Sequence, residues 1–124
     1  MTDTGSNITL CPWGHFNSLD KGDEWNLKTL VVKPGGKLSL QYHGLRSECW
    51  TLVEGEATAT LGMDEKNLVQ TKLRVGEVFH IPCGAIHRLE SERGATVVEI
   101  ALGEFDENDI VRLEDVYGRI EEKC

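Results

Sequence analysis

An all-β sandwich or barrel is the fold class this sequence predicts, and three observations carry it. Short runs rich in β-branched and aromatic residues recur between Gly, Pro and Asp punctuation. One of those runs alternates polar and apolar residues with period two. The chain, 124 residues with 40% hydrophobic and 27% charged side chains, has the size of one ordinary domain with one core.

Taken in order, residues 1–10 (MTDTGSNITL) are mostly polar and aperiodic, and are expected to form a disordered leader to a domain spanning 11–119, with a tail over 120–124. From Trp25 onward the predicted strands are Leu27 to Val32, Lys37 to His43, Cys49 to Glu54, Ala57 to Leu61, Gln70 to Leu73, Glu77 to Ile81, His87 to Glu90 and Ala95 to Leu102. Within Lys37 to His43, the alternation puts Leu38, Leu40 and Tyr42 on one face and Ser39, Gln41 and His43 on the other. A polar row of that kind faces solvent or lines a cavity. The charged stretch from Phe105 to Lys123 is expected to add a short helix or a final edge strand.

Charge narrows the partners. With 13 basic against 21 acidic side chains the net charge is −8, which argues against nucleic acid or an anionic membrane, and an anionic substrate would need a local basic pocket. No secretory leader or membrane-length apolar run is visible, so a soluble cytoplasmic protein is expected. Cys11, Cys49, Cys83 and Cys124 are far apart and form no CxxC pair, and free thiols are the expectation.

The most informative feature is a pair of spacings. Gly35, Gln41, His43, Glu48 and Gly55 are separated by five, one, four and six residues; Gly76, Pro82, Gly84, His87 and Ser91 by five, one, two and three. These resemble the two motifs of the cupin superfamily, with Gln41 where a first histidine is usual and Ser91 in place of an asparagine. The resemblance implies a jelly-roll β-barrel (double-stranded β-helix). Gln41 and His43, two apart on a strand, point the same way; Glu48 arrives from the next strand and His87 from a strand opened by the Pro82, Gly84 turn. Two imidazoles, a carboxylate and an amide oxygen suit one divalent metal ion, with zinc favoured and manganese, iron or cobalt as alternatives. Gly35, Gly55, Gly76 and Gly84 are expected in tight turns of positive φ.

Three stretches, CPWGHFNSLDKGDEWNLKTLVVKPGGKLSLQYH, VGEVFHIPCGAIHRLES and GEFDENDIVRLEDVYGR, resemble the type II mannose-6-phosphate isomerases, a family that includes the C-terminal domain of bifunctional mannose-1-phosphate guanylyltransferases. The resemblance supports Gln41, His43, Glu48 and His87 as the metal set. This chain differs from the family at Gly44, Leu45 and Cys49, while Arg46, Glu48 and Trp50 match. The implied activity is metal-dependent interconversion of mannose 6-phosphate and fructose 6-phosphate or a close relative. Candidate catalytic bases are His80, Lys33 and Glu90; candidate phosphate partners are Lys33, Arg46 and Arg88, although alternation turns Arg88 away from His87. Arg112, Tyr117 and Arg119 also match the family, for ligand binding, packing or dimerisation. The fold implies a homodimer. Two alternatives stand beside the isomerase: another cupin enzyme acting on a sugar or sugar nucleotide, and a sugar-binding module without turnover.

Overall fold

The computed structural model describes residues 7–104, 106 and 108–118. Eleven strands make up its regular structure: β1 Ile8–Cys11, β2 Gly14–Lys21, β3 Trp25–Val32, β4 Leu40–Tyr42, β5 Arg46–Gly55, β6 Thr58–Gly62, β7 Val69–Lys72, β8 Val78–Ile81, β9 Ile86–Glu90, β10 Ala95–Gly103 and β11 Val111–Glu114. They form two antiparallel sheets, one ordered β1-β2-β3-β10-β5-β8 and the other β11-β4-β9-β6-β7. Strands distant in sequence, such as β3 and β10, lie side by side. This two-sheet arrangement is the jelly roll that the resemblance implied.

The inner faces bury an apolar core of Trp13, Leu30, Val32, Leu38, Trp50, Leu52, Ala57, Ala59, Ile81, Ala85, Leu89, Ala95 and Val97. All four glycines expected in turns take positive φ: 80° at Gly35, 82° at Gly55, 87° at Gly76 and 83° at Gly84. Gly55 has a second reason to be glycine, because a Cβ there would meet the Gly94 carbonyl oxygen at 2.1 Å.

Three expectations are corrected, and the choice left open for the tail is decided. The first strand begins at Ile8, inside the stretch expected to be a leader, because Ile8 to Cys11 pair with Asn17 to Gly14. The strand expected over Lys37 to His43 is regular only at Leu40–Tyr42. Its ladder slips by one residue between the Lys37–Glu90 bridge and the Gln41–His87 pair, so Leu38 drops into the core instead of sharing a face with Leu40. The charged tail supplies an edge strand, β11, against β4. Finally, Cys11 is disulfide-bonded, whereas Cys49 and Cys83 are free. Arg119 and residues 120–124 lie outside the described residues.

Candidate functional site

The site begins where the inward rows change character. Along β5 the inward residues run Leu52, Trp50, Glu48 and then Arg46; along β9 Leu89 gives way to His87; along β10 Val97 is followed by Glu99. Cross-strand pairing aligns these changes at one end of the barrel: Glu99 lies between Lys28 and Trp50, and Gln41 lies opposite His87. The apolar core therefore ends in a polar floor.

His43, Glu48 and His87, all buried, converge there, with each offering one ligand atom within 4.8 Å of the others. His43 Nε2 lies 3.4 Å from Glu48 Oε2, and His87 Nε2 lies 3.5 Å from Glu48 Oε1. Both rings are held from behind. His43 Nδ1 donates to the Asp109 carbonyl oxygen at 2.7 Å, and His87 Nδ1 to that of Ala85 at 2.9 Å. Those bonds leave both Nε2 lone pairs aimed at the carboxylate, the arrangement in which backbone acceptors orient metal-binding imidazoles. Burial and the neighbouring Arg46 hold the His43 pKa down at about 4, and burial lowers that of His87 as well, so both rings are neutral near pH 7. Neither His–Glu contact is then an ion pair.

These residues fit a divalent cation. His87 Nε2 is buried with no hydrogen-bond partner among the described residues, which costs free energy that a cation would recover. Gln41, also buried, accepts from Ser39 Oγ at 2.7 Å through Oε1, and a carbonyl oxygen retains a second lone pair. Arg46 supplies the local positive charge: its Nη2 and Nε each lie 3.2 Å from Glu48 Oε2, and Nη2 lies 3.3 Å from His43 Nε2.

Above the floor opens a cavity of about 880 Å³, lined among others by Lys28, His43, Arg46, Asn26, Ser18 and Asp109. Lys28 Nζ lies 3.8 Å from Glu99 Oε2 and 4.5 Å from the centroid of the Phe16 ring. Glu99 is buried and accepts from Trp50 Nε1 at 3.1 Å. Burial and the Glu48 charge push the Glu99 pKa up, against the pull of Lys28 and Arg46. The indole of Trp50 meets the His87 ring edge-on at 5.7 Å, packing that ring in place.

Of the residues singled out from the sequence, His43, Glu48, His87 and Arg46 meet here, with Gln41 beside His87 in the ladder. The others do not reach it. His80 pairs with Cys49 on the outer face of the first sheet and is exposed. Lys33 is exposed, seven residues along from Asn26, which stands at the Glu48 level; a strand covers roughly 23 Å in that span. Arg88 and Glu90 alternate away from His87 and line a second cavity on the other side of the sheet. There Arg88 donates to the Leu38 carbonyl and to Glu114. Lys28 and Glu99 were missed in the sequence. Their phase was the available signal: Lys28 is in step with buried Leu30 and Val32, and Glu99 with buried Val97 and Ala101.

Similarity to known proteins agrees with this geometry. Among solved structures, the capsular polysaccharide assembling protein CapF of Staphylococcus aureus superposes with a TM-score of 0.75 at 22% identity, covering 87% of this chain and 31% of that one. Oxalate decarboxylase from Bacillus subtilis gives 0.74 at 22% identity over 86% of this chain and 29% of that one. Both likenesses concern the fold. They show the cupin jelly roll as the fold, inside which the His and Glu cluster lies.

The match to the family described as mannose-6-phosphate isomerase C-terminal extends over residues 4–115, and the chain belongs to that family. Its relatives include the mannose-1-phosphate guanylyltransferase of Escherichia coli K12, 39% identical over 112 residues, and the alginate biosynthesis protein AlgA of Pseudomonas aeruginosa, 40% identical over 114 residues. These alignments cover 88% and 90% of this chain but only 22% and 23% of the relatives. The chain thus spans less than a quarter of their length.

Proposed function

We propose that this domain is a metal-dependent isomerase of a phosphorylated sugar, interconverting mannose 6-phosphate and fructose 6-phosphate or a close relative. One observation above the others supports this: a buried His43, Glu48, His87 cluster borders, through His43, a cavity whose lining includes the cations Lys28 and Arg46. In a chain of net charge −8, two cations at one cavity are what an anionic sugar requires.

His43, Glu48 and His87, with Gln41 as a fourth donor, would hold the metal, zinc by preference, and a bound divalent ion supplies Lewis-acid stabilisation of negative charge on the sugar oxygens. The chain's own residues do the rest. Lys28 and Arg46 bind and orient the anion. Glu99, in place of His80, Lys33 and Glu90, holds the proton that moves between adjacent carbons, since its raised pKa lets it release and retake a proton nearer neutrality. The apolar ring of Trp50 keeps the floor dry. Gly44 and Leu45, where the chain differs from the type II isomerases, are exposed, and Cys49 faces outward beside His80, so none of the three belongs to the floor.

A cytoplasmic homodimer belongs to the same proposal, with the exposed Trp25, Val78, Ile100 and Leu102 on the outer face of the first sheet as its contact. The test is turnover of mannose 6-phosphate by metal-loaded, chelated and reloaded protein. Activity is expected to vanish on chelation and return with a divalent metal. Turnover that persists in metal-stripped protein overturns the mechanism, and a metal-loaded protein inert toward all hexose phosphates overturns the substrate class.

One contact favours a second reading. The Arg46 guanidinium occupies the lone pairs of His43 and Glu48 that a metal would take, as expected of a metal-free sugar-binding module. Elemental analysis after purification without chelator separates the two, because a module of that kind carries no stoichiometric metal.

A further inference from the structure

Asp109 is used by neither the metal set nor the anion-binding pair, yet it makes three short contacts at the rim of the cavity. Its main-chain oxygen accepts from His43 Nδ1 at 2.7 Å. Its carboxylate accepts from the two backbone N–H groups that follow His43, Oδ1 from Gly44 and Oδ2 from Leu45, each at 2.8 Å. Its own N–H donates to the Asp106 carbonyl at 2.9 Å, and two residues further on Val111 enters the ladder opposite Tyr42. One residue thus fastens the C-terminal segment to the turn between β4 and β5 at the point where that turn carries His43.

We infer that Asp109 is a positioning residue, hooking the C-terminal wall of the cavity onto His43 so that order in that wall and metal affinity are linked. The inference rests on the metal reading above. Because the bond to His43 comes from the main chain, no side-chain substitution deletes it directly. The carboxylate acts by pinning that oxygen in place through Gly44 and Leu45. A bidentate hook on two backbone donors also explains how the chain tolerates its unusual Gly44 and Leu45: the hook reads main-chain N–H groups, and a Cβ at Gly44 would stand 3.4 Å from Asp109 Oδ1, an ordinary contact. The wall so held includes Asp106, Asn108 and Ile110, which line the cavity. Linkage is reciprocal: if the hook favours metal, bound metal favours the hook by the same factor.

The experiment measures zinc affinity by competition with a chromophoric chelator for the wild type, Asp109→Ala, Asp109→Asn and the control Asn108→Ala. It also measures hydrogen exchange at the Gly44 and Leu45 amides with and without zinc. Asp109→Ala is expected to weaken zinc binding about 10- to 100-fold, the usual consequence of losing support behind a ligand. Asp109→Asn, which turns one acceptor into a donor facing an N–H, is expected to fall between Asp109→Ala and wild type, and Asn108→Ala to match wild type. Saturating zinc should slow exchange at Gly44 and Leu45 in the unmodified protein, a readout that needs no variant. Wild-type affinity in folded Asp109→Ala or Asp109→Asn, or exchange at Gly44 and Leu45 indifferent to bound zinc, overturns the inference. If the wild type takes up no divalent metal, it is the metal reading that fails. The hook is then judged by the His43 Nδ1 proton in NMR spectra: its loss in Asp109→Ala upholds the positioning role and an unchanged signal removes it.

Discussion

Replacing Arg88 by Met separates a structural from a substrate-binding role for a cation that lies one residue from His87. Arg88 donates from Nε to the buried Leu38 carbonyl at 2.8 Å, from Nη1 to Glu114 Oε1 at 2.7 Å and from Nη2 to the Glu114 carbonyl at 3.1 Å. Methionine preserves the apolar stem and removes the donors. Leaving the Leu38 carbonyl without its partner costs about 1–3 kcal/mol. The Glu114 pair adds under about 1 kcal/mol, because Glu114 is largely exposed and the pair is screened. A loss of about 2–3 kcal/mol in a domain of this length corresponds to a fall in Tm of roughly 6–12 °C. The pair also carries a pH signature. The Arg88 hydrogen bond lowers the Glu114 pKa, so its stabilisation is present above the unfolded value and is lost as pH falls through the lower folded one. Arg88→Met should lack the Glu114 part of that acid loss and so fall less steeply than wild type in that window. Urea denaturation from pH 3 to 7, with mannose 6-phosphate titrations at neutral pH, measures both properties. An unchanged unfolding midpoint, or a folded variant that loses sugar-phosphate affinity, would refute the structural role.

Other outcomes follow from the floor and the cavity. His43→Ala should lose both metal and turnover, whereas Leu45→His, at an exposed position, should leave metal content near wild type and change only rate or substrate preference; elemental analysis and a coupled assay decide. Lys28→Met should raise KM for a phosphorylated sugar by about 10- to 100-fold, the loss of one charge-assisted hydrogen bond, with zinc affinity unchanged. An unchanged KM removes Lys28 from anion binding. Glu99→Gln retains an acceptor for Trp50 and discards a buried charge. Since the folded Glu99 pKa is raised, wild-type stability is fully present below the unfolded pKa and falls as pH rises through the folded one. The variant should be at least as stable as wild type at neutral pH, with the difference closing in acid, while turnover drops. Urea melts showing Glu99→Gln less stable at neutral pH would contradict that sign.

The strands from Trp25 onward were legible because period-two patterning and turn glycines are local properties. Gly55 shows the limit of that legibility: its positive φ is local, whereas its close approach to the Gly94 carbonyl is tertiary. The one-residue slip between Lys37 and Gln41 depends on the partner β9, so alternation alone misassigned Leu38. β1 and β2 escaped notice because their residues are half-buried or exposed, with weak patterning. The floor of the site was legible through His43, Glu48 and His87, whose spacing is fixed by two turns. Lys28 and Glu99 were not, since what sets them apart is that one faces the other across β3 and β10. His80, Lys33 and Glu90 were named as bases for their closeness to the motifs in sequence; strand alternation and rise carry all three away.

Arg46 gives the site an unusual independence. Glu48 is a buried carboxylate, and such a charge left alone is a heavy burden on a fold. With the guanidinium 3.2 Å away, the protein carries its own counterion. Without an ion, Glu48 therefore still has a charged partner inside the barrel, unlike the ligands of small domains that unravel under chelation. Any cation taken up there would compete with that internal tether. The counterion that steadies Glu48 is thus part of the chain itself, fixed in place by the same strand, two residues away.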